Sequence, residues 1–182
     1  MIVLIFAHPY PDRSRANRAL LNAVRRVPGV DVRSLYELYP SFDIDVAAEQ
    51  AALADADAIV LQHPMYWYSV PGLLKHWFDK VLTRGWAYGR DGVALRGKRC
   101  LWVTTTGADA DEFSAQGMHG FALEAFVPAI EQTARFCGMR WEPPIVIHGA
   151  HRIARSALEA EASAYRARVE SLAASDQSEA RP

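Results

Sequence analysis

The sequence predicts an α/β domain in which one parallel β-sheet is covered by helices on both faces. Short apolar runs alternate with longer amphipathic stretches along the 182 residues, which is the pattern of repeated strand–helix–strand units. The first run, Ile2–Phe6, is apolar at every position, as expected of a strand buried on both faces. The chain has the length of a single domain.

The first half of the sheet follows from the segments up to residue 62. Ile2–Phe6 is the first strand. Apolar residues then recur at helical spacing, as at Ala16, Leu20 and Val24, until Pro28-Gly29 ends the helix. The elements predicted here are a helix at residues 14–27, a strand at 30–35, a helix at 45–55 and a strand at 58–62.

The second half begins at Pro71, which opens a helix because proline is tolerated in a first helical turn. One face of that helix carries Leu74, Trp77, Phe78, Val81 and Leu82. The remaining predicted elements are a glycine-rich loop at 85–97, a strand at 100–105, a helix at 121–137, a strand at 145–148 and a helix at 156–172.

Five parallel strands joined by right-handed crossovers favour the strand order 2-1-3-4-5, which is the order of flavodoxin-like sheets. We therefore predict one flavodoxin-like domain over residues 1–172. The last residues, 173–182, are small and polar and are expected to form a disordered tail.

The composition excludes several classes of partner. A formal net charge of −1 gives no electrostatic basis for binding nucleic acid or anionic lipid. The two cysteines, Cys100 and Cys137, have neither a disulfide pattern nor metal-ligand spacing, which favours a reducing compartment and no metal site. No apolar stretch approaches the ~20 residues of a membrane span, so we expect a soluble cytoplasmic protein.

The candidate site follows from the topology. In open α/β sheets, ligands bind beyond the carboxyl ends of the strands, at the point where the strand order reverses. With the order 2-1-3-4-5, that point lies above the first and third strands with the fourth alongside. The three loops that follow these strands are residues 7–17, 63–69 and 104–108.

The first loop enters a helix whose predicted N-cap is Ser14. The free backbone amides of Arg15, Ala16 and Asn17, together with the helix dipole, suit a phosphate group. The alternative is that Ser14 only caps the helix. The chain has neither the G-x-G-x-x-G fingerprint after its first strand nor a P-loop, so no dinucleotide site of those kinds is indicated.

The second loop carries three aromatic residues between Pro64 and Pro71. These prolines are expected to hold the backbone extended, so that its amides face a planar ligand such as an isoalloxazine ring while Trp67 lies against that ligand. The alternative is a set of core aromatics at the top of the sheet. The third loop offers threonine hydroxyls and Gly107 for close approach of the backbone.

These motifs, taken together, resemble the NAD(P)H quinone oxidoreductases of the flavodoxin-like fold, and among them the ancillary proteins of bacterial glutathione-regulated potassium-efflux systems. The resemblance extends to about Leu172. The residues that carry it are Ala7-His8-Pro9, the helix start at 14–17, the segment 64–71, Leu74, Lys75, Trp77 and Asp79, the loop 85–88 and Thr105-Thr106-Gly107.

The resemblance implies a set of FMN contacts and one catalytic residue. His119 would stabilise the reduced flavin near N1 and O2, but Phe113 stands where larger relatives have a tyrosine, which puts a Tyr–His proton relay in question. Ala108 and Asp109 replace glycines of the family. The implied contacts are His8, Ser14, Arg15, Ala16 and Asn17 for the phosphate and ribityl end, Met65, Tyr66, Trp67 and Tyr68 for the ring, and Thr105, Thr106, Gly107 and Ala108 for its pyrimidine edge.

The implied function is two-electron transfer from NAD(P)H through FMN to a quinone-like acceptor, combined with regulation of a potassium-efflux antiporter at the cytoplasmic side of the inner membrane. Two alternatives stay open: a regulatory subunit with little catalysis, and an FMN azoreductase or drug-modulator-type reductase. We also expect a homodimer with the 85–89 loop of one chain near the flavin of the other, because the apolar faces of the 71–82 and 121–137 helices exceed what one sheet needs.

Overall fold

The computed structural model describes residues 1–174, which form a six-stranded parallel sheet with helices on both faces. The order β2-β1-β3-β4-β5 confirms the predicted flavodoxin-like topology, and β6 also pairs with β4. The strands are β1 Ile2–Phe6, β2 Val30–Ser34, β3 Ala58–Pro64, β4 Arg99–Thr105, β5 Arg140–Trp141 and β6 Ile145–Ile147.

The fifth strand of the prediction is divided in two. β5 pairs with the start of β4 (Arg99 beside Arg140) and β6 with its end (Val103 beside Ile145), so both lie along the same edge. Pro143 and Pro144 separate them, and proline has no N–H to donate to a sheet ladder. The sequence predicted only the second of these two segments.

The helices cover the sheet in two layers. Residues of α1 and α6 pack on one face, and residues of α3, α4 and α5 pack on the other. The helices are α1 Arg15–Val24, α2 Leu35–Leu38, α3 Val46–Ala54, α4 Gly72–Val81, α5 Pro128–Phe136 and α6 Arg155–Ala174, with 3₁₀ turns at Pro11–Arg13, Ala110–Glu112 and Leu123–Phe126.

Several predicted boundaries were wrong. The helix predicted over 121–137 is a 3₁₀ turn at Leu123–Phe126 followed by α5 from Pro128, because proline cannot continue a helix but can begin one. α2 takes over from Leu35, where the second strand was expected to end. α6 continues to Ala174, two residues beyond the predicted domain boundary. The rest of the predicted tail, residues 175–182, lies outside the described residues.

The α4 face that suggested surplus apolar surface is buried within the chain. Leu74 and Val81 are fully buried, and Trp77 and Phe78 are 2% and 9% exposed. That part of the reasoning for a dimer was therefore wrong, since the sheet of the same chain already covers this face. None of the helices within residues 1–174 is long and apolar enough to cross a membrane.

A buried carboxylate ties β2, α3 and α4 together. Glu49 is fully buried, and its Oε1 accepts hydrogen bonds from Arg33 at 2.6 and 2.8 Å and from the Tyr39 hydroxyl at 2.5 Å. Its Oε2 accepts from Trp77 Nε1 at 2.9 Å. Burial and this carboxylate raise the pKa of Tyr39 to about 12. The arrangement gives a buried charge both an ionic partner and hydrogen bonds.

Candidate functional site

The loops that follow β1, β3 and β4 meet at one edge of the sheet. β3 and β4 stay in register to their last residues, Pro64 and Thr105, and the amide of Met65 then donates to the carbonyl of Thr105 at 2.8 Å. Two adjoining cavities open above this point, of about 530 and 490 Å³. We call them the first-loop cavity and the aromatic cavity, and both are lined by Met65, Tyr66, Thr106 and Gly107.

The predicted site residues come together at these cavities, with one exception. Ala16 lines neither of them, and its side chain is 1% exposed, so only its backbone amide could serve a ligand. The other predicted residues of the first-loop cavity are His8, Ser14, Arg15, Asn17 and Thr105, and those of the aromatic cavity are Trp67, Tyr68, Ala108 and His119.

The start of α1 forms one wall of the first-loop cavity. Ser14 is the N-cap, as predicted, and its hydroxyl accepts from the amide of Asn17 at 3.2 Å. The Asn17 amide is therefore engaged, contrary to expectation, whereas the amides of Arg15 and Ala16 lie in the first turn, where no intrahelical acceptor exists. The Arg15 guanidinium donates to the carbonyl of Ile153. A helix end of this kind suits an anion.

His8 shapes the opposite wall of the same cavity. Its Nδ1 accepts from the amide of Tyr10 at 3.0 Å, and burial lowers the pKa of its imidazole. The ring is therefore neutral at physiological pH, with Nδ1 as acceptor and Nε2 carrying the proton. Tyr10 itself carries the Arg13 guanidinium 5.6 Å from its ring centroid.

Asn17 provides a direct test of whether a flavin side chain suits this cavity. The residue is 1% exposed, and its Nδ2 donates to Thr105 Oγ1 at 2.8 Å. Its Oδ1 is buried and has no hydrogen-bond partner within residues 1–174. An unpaired buried acceptor is costly, and a donor such as a ligand hydroxyl in this cavity would satisfy it. A polyhydroxylated chain ending in a phosphate therefore fits the residues present.

The aromatic loop is a tight turn, so the expected extended backbone was wrong. Tyr66 and Ser69 exchange two backbone hydrogen bonds of 3.0 Å, and the residues between them have positive φ, 50° at Trp67 and 61° at Tyr68. Two positive φ values define the turn that closes two-residue hairpins. Such conformations are strained for non-glycine residues and concentrate at functional sites.

This turn presents its aromatic side chains to the outside of the sheet. Trp67 is 92% exposed, Tyr68 46% and Tyr66 37%. The alternative that they are core aromatics is therefore wrong, because a core side chain would be excluded from solvent. Their exposure leaves three ring faces available to a planar ligand in the aromatic cavity.

His119 lies against two aromatic rings, those of Tyr68 and Phe113, at the far side of the aromatic cavity. Its Nδ1 is 3.3 Å from the Tyr68 hydroxyl, and Phe113 stacks on its ring with 4.3 Å between centroids. Tyr68 in turn stacks on Phe126 at 5.1 Å. The Nε2 of His119 is buried and has no hydrogen-bond partner in the described part of the chain, residues 1–174. A tyrosine therefore does meet His119, but it comes from the second loop rather than from position 113.

The third loop is held by residues that the sequence analysis did not assign to the site. Thr106 donates from its hydroxyl to the Ala108 carbonyl at 2.8 Å, and its Oγ1 lies 3.0 Å from His148 Nδ1. Arg152 forms an ion pair with Asp109 at 2.8 Å. Asp109 also lies close to Gly149 in the loop after β6. A Cβ at that position would be 2.2 Å from Asp109 Oδ1.

Other cavity residues were also missed, among them Tyr10, Met118, Ala150, His151 and Arg152. The loop after β6 contributes the last three. The rule that ligands bind at the carboxyl ends of neighbouring strands would have pointed to that loop, because β6 is adjacent to β4.

Comparison with known proteins assigns the chain to a family. The flavodoxin-like fold family matches residues 1–170. The chain is 51% identical over 169 residues to the glutathione-regulated potassium-efflux system ancillary protein KefF of Klebsiella aerogenes, a match that covers 93% of this chain and 94% of that protein.

Solved structures agree with this assignment. General stress protein 14 of Treponema denticola, solved in complex with FMN, is 37% identical with a TM-score of 0.89, over 94% of this chain and 98% of that one. The NADPH-quinone reductase of P. pentosaceus is 30% identical with a TM-score of 0.82, over 91% and 95%. The chain therefore belongs to the flavodoxin-like fold family, and its relatives include a potassium-efflux ancillary protein and an NADPH-quinone reductase.

Proposed function

We propose that this chain is an FMN-dependent NAD(P)H:quinone oxidoreductase. The observation that carries the proposal is the pair of adjoining cavities, each with one buried polar atom that lacks a hydrogen-bond partner within residues 1–174: Asn17 Oδ1 in the first and His119 Nε2 in the second. One ligand with a hydroxylated side chain and a planar ring would occupy both. A relative with 37% identity binds FMN, and another with 30% identity is named an NADPH-quinone reductase.

The binding roles follow from the walls of the two cavities. The first turn of α1, with the Arg15 and Ala16 amides and the Ser14 cap, would hold the phosphate. Asn17 Oδ1 would accept from a ribityl hydroxyl. The turn at Tyr66–Ser69 and the Thr106–Gly107 backbone would bind the ring between them. When bound, FMN supplies two-electron chemistry between a nicotinamide donor and a quinone acceptor.

His119 would hold a proton where negative charge develops. When the Tyr68 hydroxyl donates to Nδ1, a ring proton is placed on Nε2, which has no hydrogen-bond partner within residues 1–174. A donor placed in advance stabilises an oxygen that gains charge during the reaction, without having to reorganise. The stacked ring of Phe113 fixes the plane of the imidazole. Tyr68 and His119 would thus act as one hydrogen-bonded donor unit.

The decisive experiment measures flavin binding and turnover on the same purified protein. We expect one FMN per chain, weaker binding of FAD, and FMN-dependent oxidation of NADH or NADPH by a naphthoquinone. An azo dye offered in place of the quinone tests the azoreductase alternative. Tighter binding of FAD than of FMN, or no flavin-dependent oxidation of either nucleotide, would overturn the proposal.

We also propose that the protein acts in the cytoplasm as an ancillary regulator of a potassium-efflux antiporter. The supporting observation is the 51% identity, over almost the whole chain, to a protein named for that role. Potassium efflux should be restored when this chain is expressed in cells that have the antiporter but lack its ancillary protein. Restoration by a His119→Ala variant would favour the regulatory subunit with little catalysis, whereas no restoration by the wild-type chain would contradict the regulatory role.

A further inference from the structure

A chain of buried hydrogen bonds runs from the C-terminal helix to the first-loop cavity. The hydroxyl of Tyr165 in α6 donates to Gln62 Oε1 at 3.2 Å, and Gln62 Nε2 donates to the backbone carbonyl of Asn17 at 3.0 Å. Asn17 Nδ2 then donates to Thr105 Oγ1 at 2.8 Å. All four residues are at most 3% exposed. The chain of bonds joins α6, β3, α1 and β4 beneath the cavity.

The backbone carbonyl of Asn17 fixes the orientation of the Gln62 amide, because a carbonyl can only accept. The amide nitrogen of Gln62 must face it, so the amide oxygen faces Tyr165, and the Tyr165 hydroxyl donates. The backbone carbonyl of Gln62 also accepts from the amide of Ala7 at 3.0 Å, which places the end of β1 on the same residue. Gln62 therefore joins the end of β1 to the first turn of α1, the two segments that flank the first loop.

Packing alone does not account for these polar side chains. Gln62 and Tyr165 are both fully buried, where an apolar side chain of similar size would avoid the cost of removing polar groups from water. Their bonds end at Asn17, whose Oδ1 is the one atom in this series left without a partner, and Asn17 lines the cavity. The series is thus complete within the protein except at the point where a ligand would enter.

We propose that Gln62 and Tyr165 are positioning residues for the ribityl phosphate of the flavin. They hold the Asn17 backbone against β3, so that its buried side-chain oxygen is presented to a ribityl hydroxyl at the floor of the first-loop cavity. This inference rests on the proposed function, since it takes FMN as the ligand. It assigns a role in flavin selectivity to a residue of α6 that lines neither the first-loop cavity nor the aromatic cavity.

Flavin analogues separate positioning from general stability. FMN has both the ribityl chain and the phosphate, riboflavin lacks the phosphate, and lumiflavin lacks both. Tyr165→Phe and Gln62→Leu should each weaken the binding of FMN and riboflavin by about 5- to 10-fold, the effect of one hydrogen bond. Lumiflavin binding should change by less than about twofold. Flavin fluorescence titration gives all three dissociation constants.

Tyr39→Phe is the matched control. It removes the hydroxyl of another buried tyrosine that donates to a buried side chain, Glu49, away from the cavities. It should lower the thermal midpoint without changing the affinity ratio of FMN to lumiflavin. In an Asn17→Ala background, Tyr165→Phe should have no further effect on FMN binding, because the hydroxyl acts through Asn17.

Two outcomes would overturn the positioning role alone: an equal loss for all three flavins, which indicates a purely structural effect, or no loss for any of them. Wild-type protein that binds neither FMN nor riboflavin would overturn the proposed function itself, and this inference with it. The wild-type titration thus separates the two failures before any variant is compared.

Discussion

At the scale of single residues, the aromatic cavity depends on side chains that lie in turns and loops rather than in helices or strands. Trp67 and Tyr68 sit in a strained turn with positive φ and are largely exposed. His119 contacts the rings of Tyr68 and Phe113, and Tyr68 stacks in turn on Phe126. Substitutions here can alter ligand binding or chemistry with little effect on folding, so they test function directly.

His119→Ala should leave FMN affinity nearly unchanged and lower quinone reductase turnover by between about tenfold and 10³-fold, because the lost donor acts on charge that develops during the reaction. Tyr68→Phe keeps the stacking on Phe126 but removes the hydroxyl, and should lower turnover less. The measurement is steady-state kinetics beside FMN titration. Loss of the cofactor, or full activity, in His119→Ala would refute this role for the histidine.

Trp67→Ala should weaken FMN binding by about 1–3 kcal/mol, by analogy with the stacking of aromatic side chains on bases. The thermal midpoint of the flavin-free protein serves as the control. It should not move, because the Trp67 side chain is 92% exposed and contributes little to the core. Unchanged FMN affinity in this variant would show that the indole does not contact the ring.

At the scale of secondary-structure elements, two buried polar groups fix how the elements meet. Glu49 joins β2, α3 and α4 through Arg33 and Trp77. At the end of β3, His63 Nε2 accepts from Trp102 Nε1 at 2.7 Å while its Nδ1 donates to the Pro64 carbonyl at 2.9 Å. The first group supports the helix that follows the aromatic loop, and the second supports the strand that precedes it.

Glu49→Gln should destabilise the fold by about 3–5 kcal/mol, because Arg33 would lose its buried ionic partner and keep only the half-exposed Asp31 carboxylate at 3.8 Å. Urea unfolding monitored by tryptophan fluorescence measures the change. Asp79→Asn is the control, since the Lys75–Asp79 pair on α4 is exposed and should contribute less than about 1 kcal/mol. Equal effects of the two substitutions would contradict the role of the buried carboxylate.

Stability should fall as the pH drops from about 6.5 towards 4, partly because of His63. Burial lowers the pKa of its imidazole to about 4, whereas an unfolded histidine binds its proton below about pH 6.5. The unfolded state therefore binds more protons between these values, which favours unfolding as pH falls. His63→Gln should flatten this dependence in urea unfolding at pH 7 and 4.5, and an unchanged slope would contradict it.

At the scale of the whole molecule, one exposed aromatic surface outside the candidate site lies beside α5. Phe136 is 63% exposed and packs its ring against Tyr88 at 5.1 Å, beside a groove of about 570 Å³ between α4 and α5. Tyr88 belongs to the glycine-rich loop that was expected to approach the flavin of a second chain. This surface, rather than the buried face of α4, now supports the proposal of a two-fold dimer.

Light scattering at micromolar concentration should therefore give a particle of twice the 20.2 kDa chain mass. Phe136→Asp should shift it towards the monomer, because a charge would be buried at the interface without a partner. A particle of 20.2 kDa that retains full activity would contradict the dimer.

The strand order, the central strands and the three loops of the site could be predicted from the amino-acid sequence. These features depend on local signals: continuous apolar runs for β1, β3 and β4, a serine cap for α1, and the rule that parallel strands end at one edge of the sheet. The cap at Ser14 and the helix break before Pro128 are likewise properties of a few neighbouring residues. The helix break itself was misjudged, because the apolar periodicity on both sides of the proline looked continuous.

Which distant residues come into contact depends on the tertiary structure and does not follow from local sequence patterns. Nothing in the spacing of Tyr68 and His119, or of Gln62 and Tyr165, predicts their hydrogen bonds, since the partners lie 51 and 103 positions apart. The same holds for the α4 face, whose apolar pattern is the same whether it covers the sheet of its own chain or that of a partner. Periodicity shows that a face is buried, but what buries it depends on how the elements pack in three dimensions.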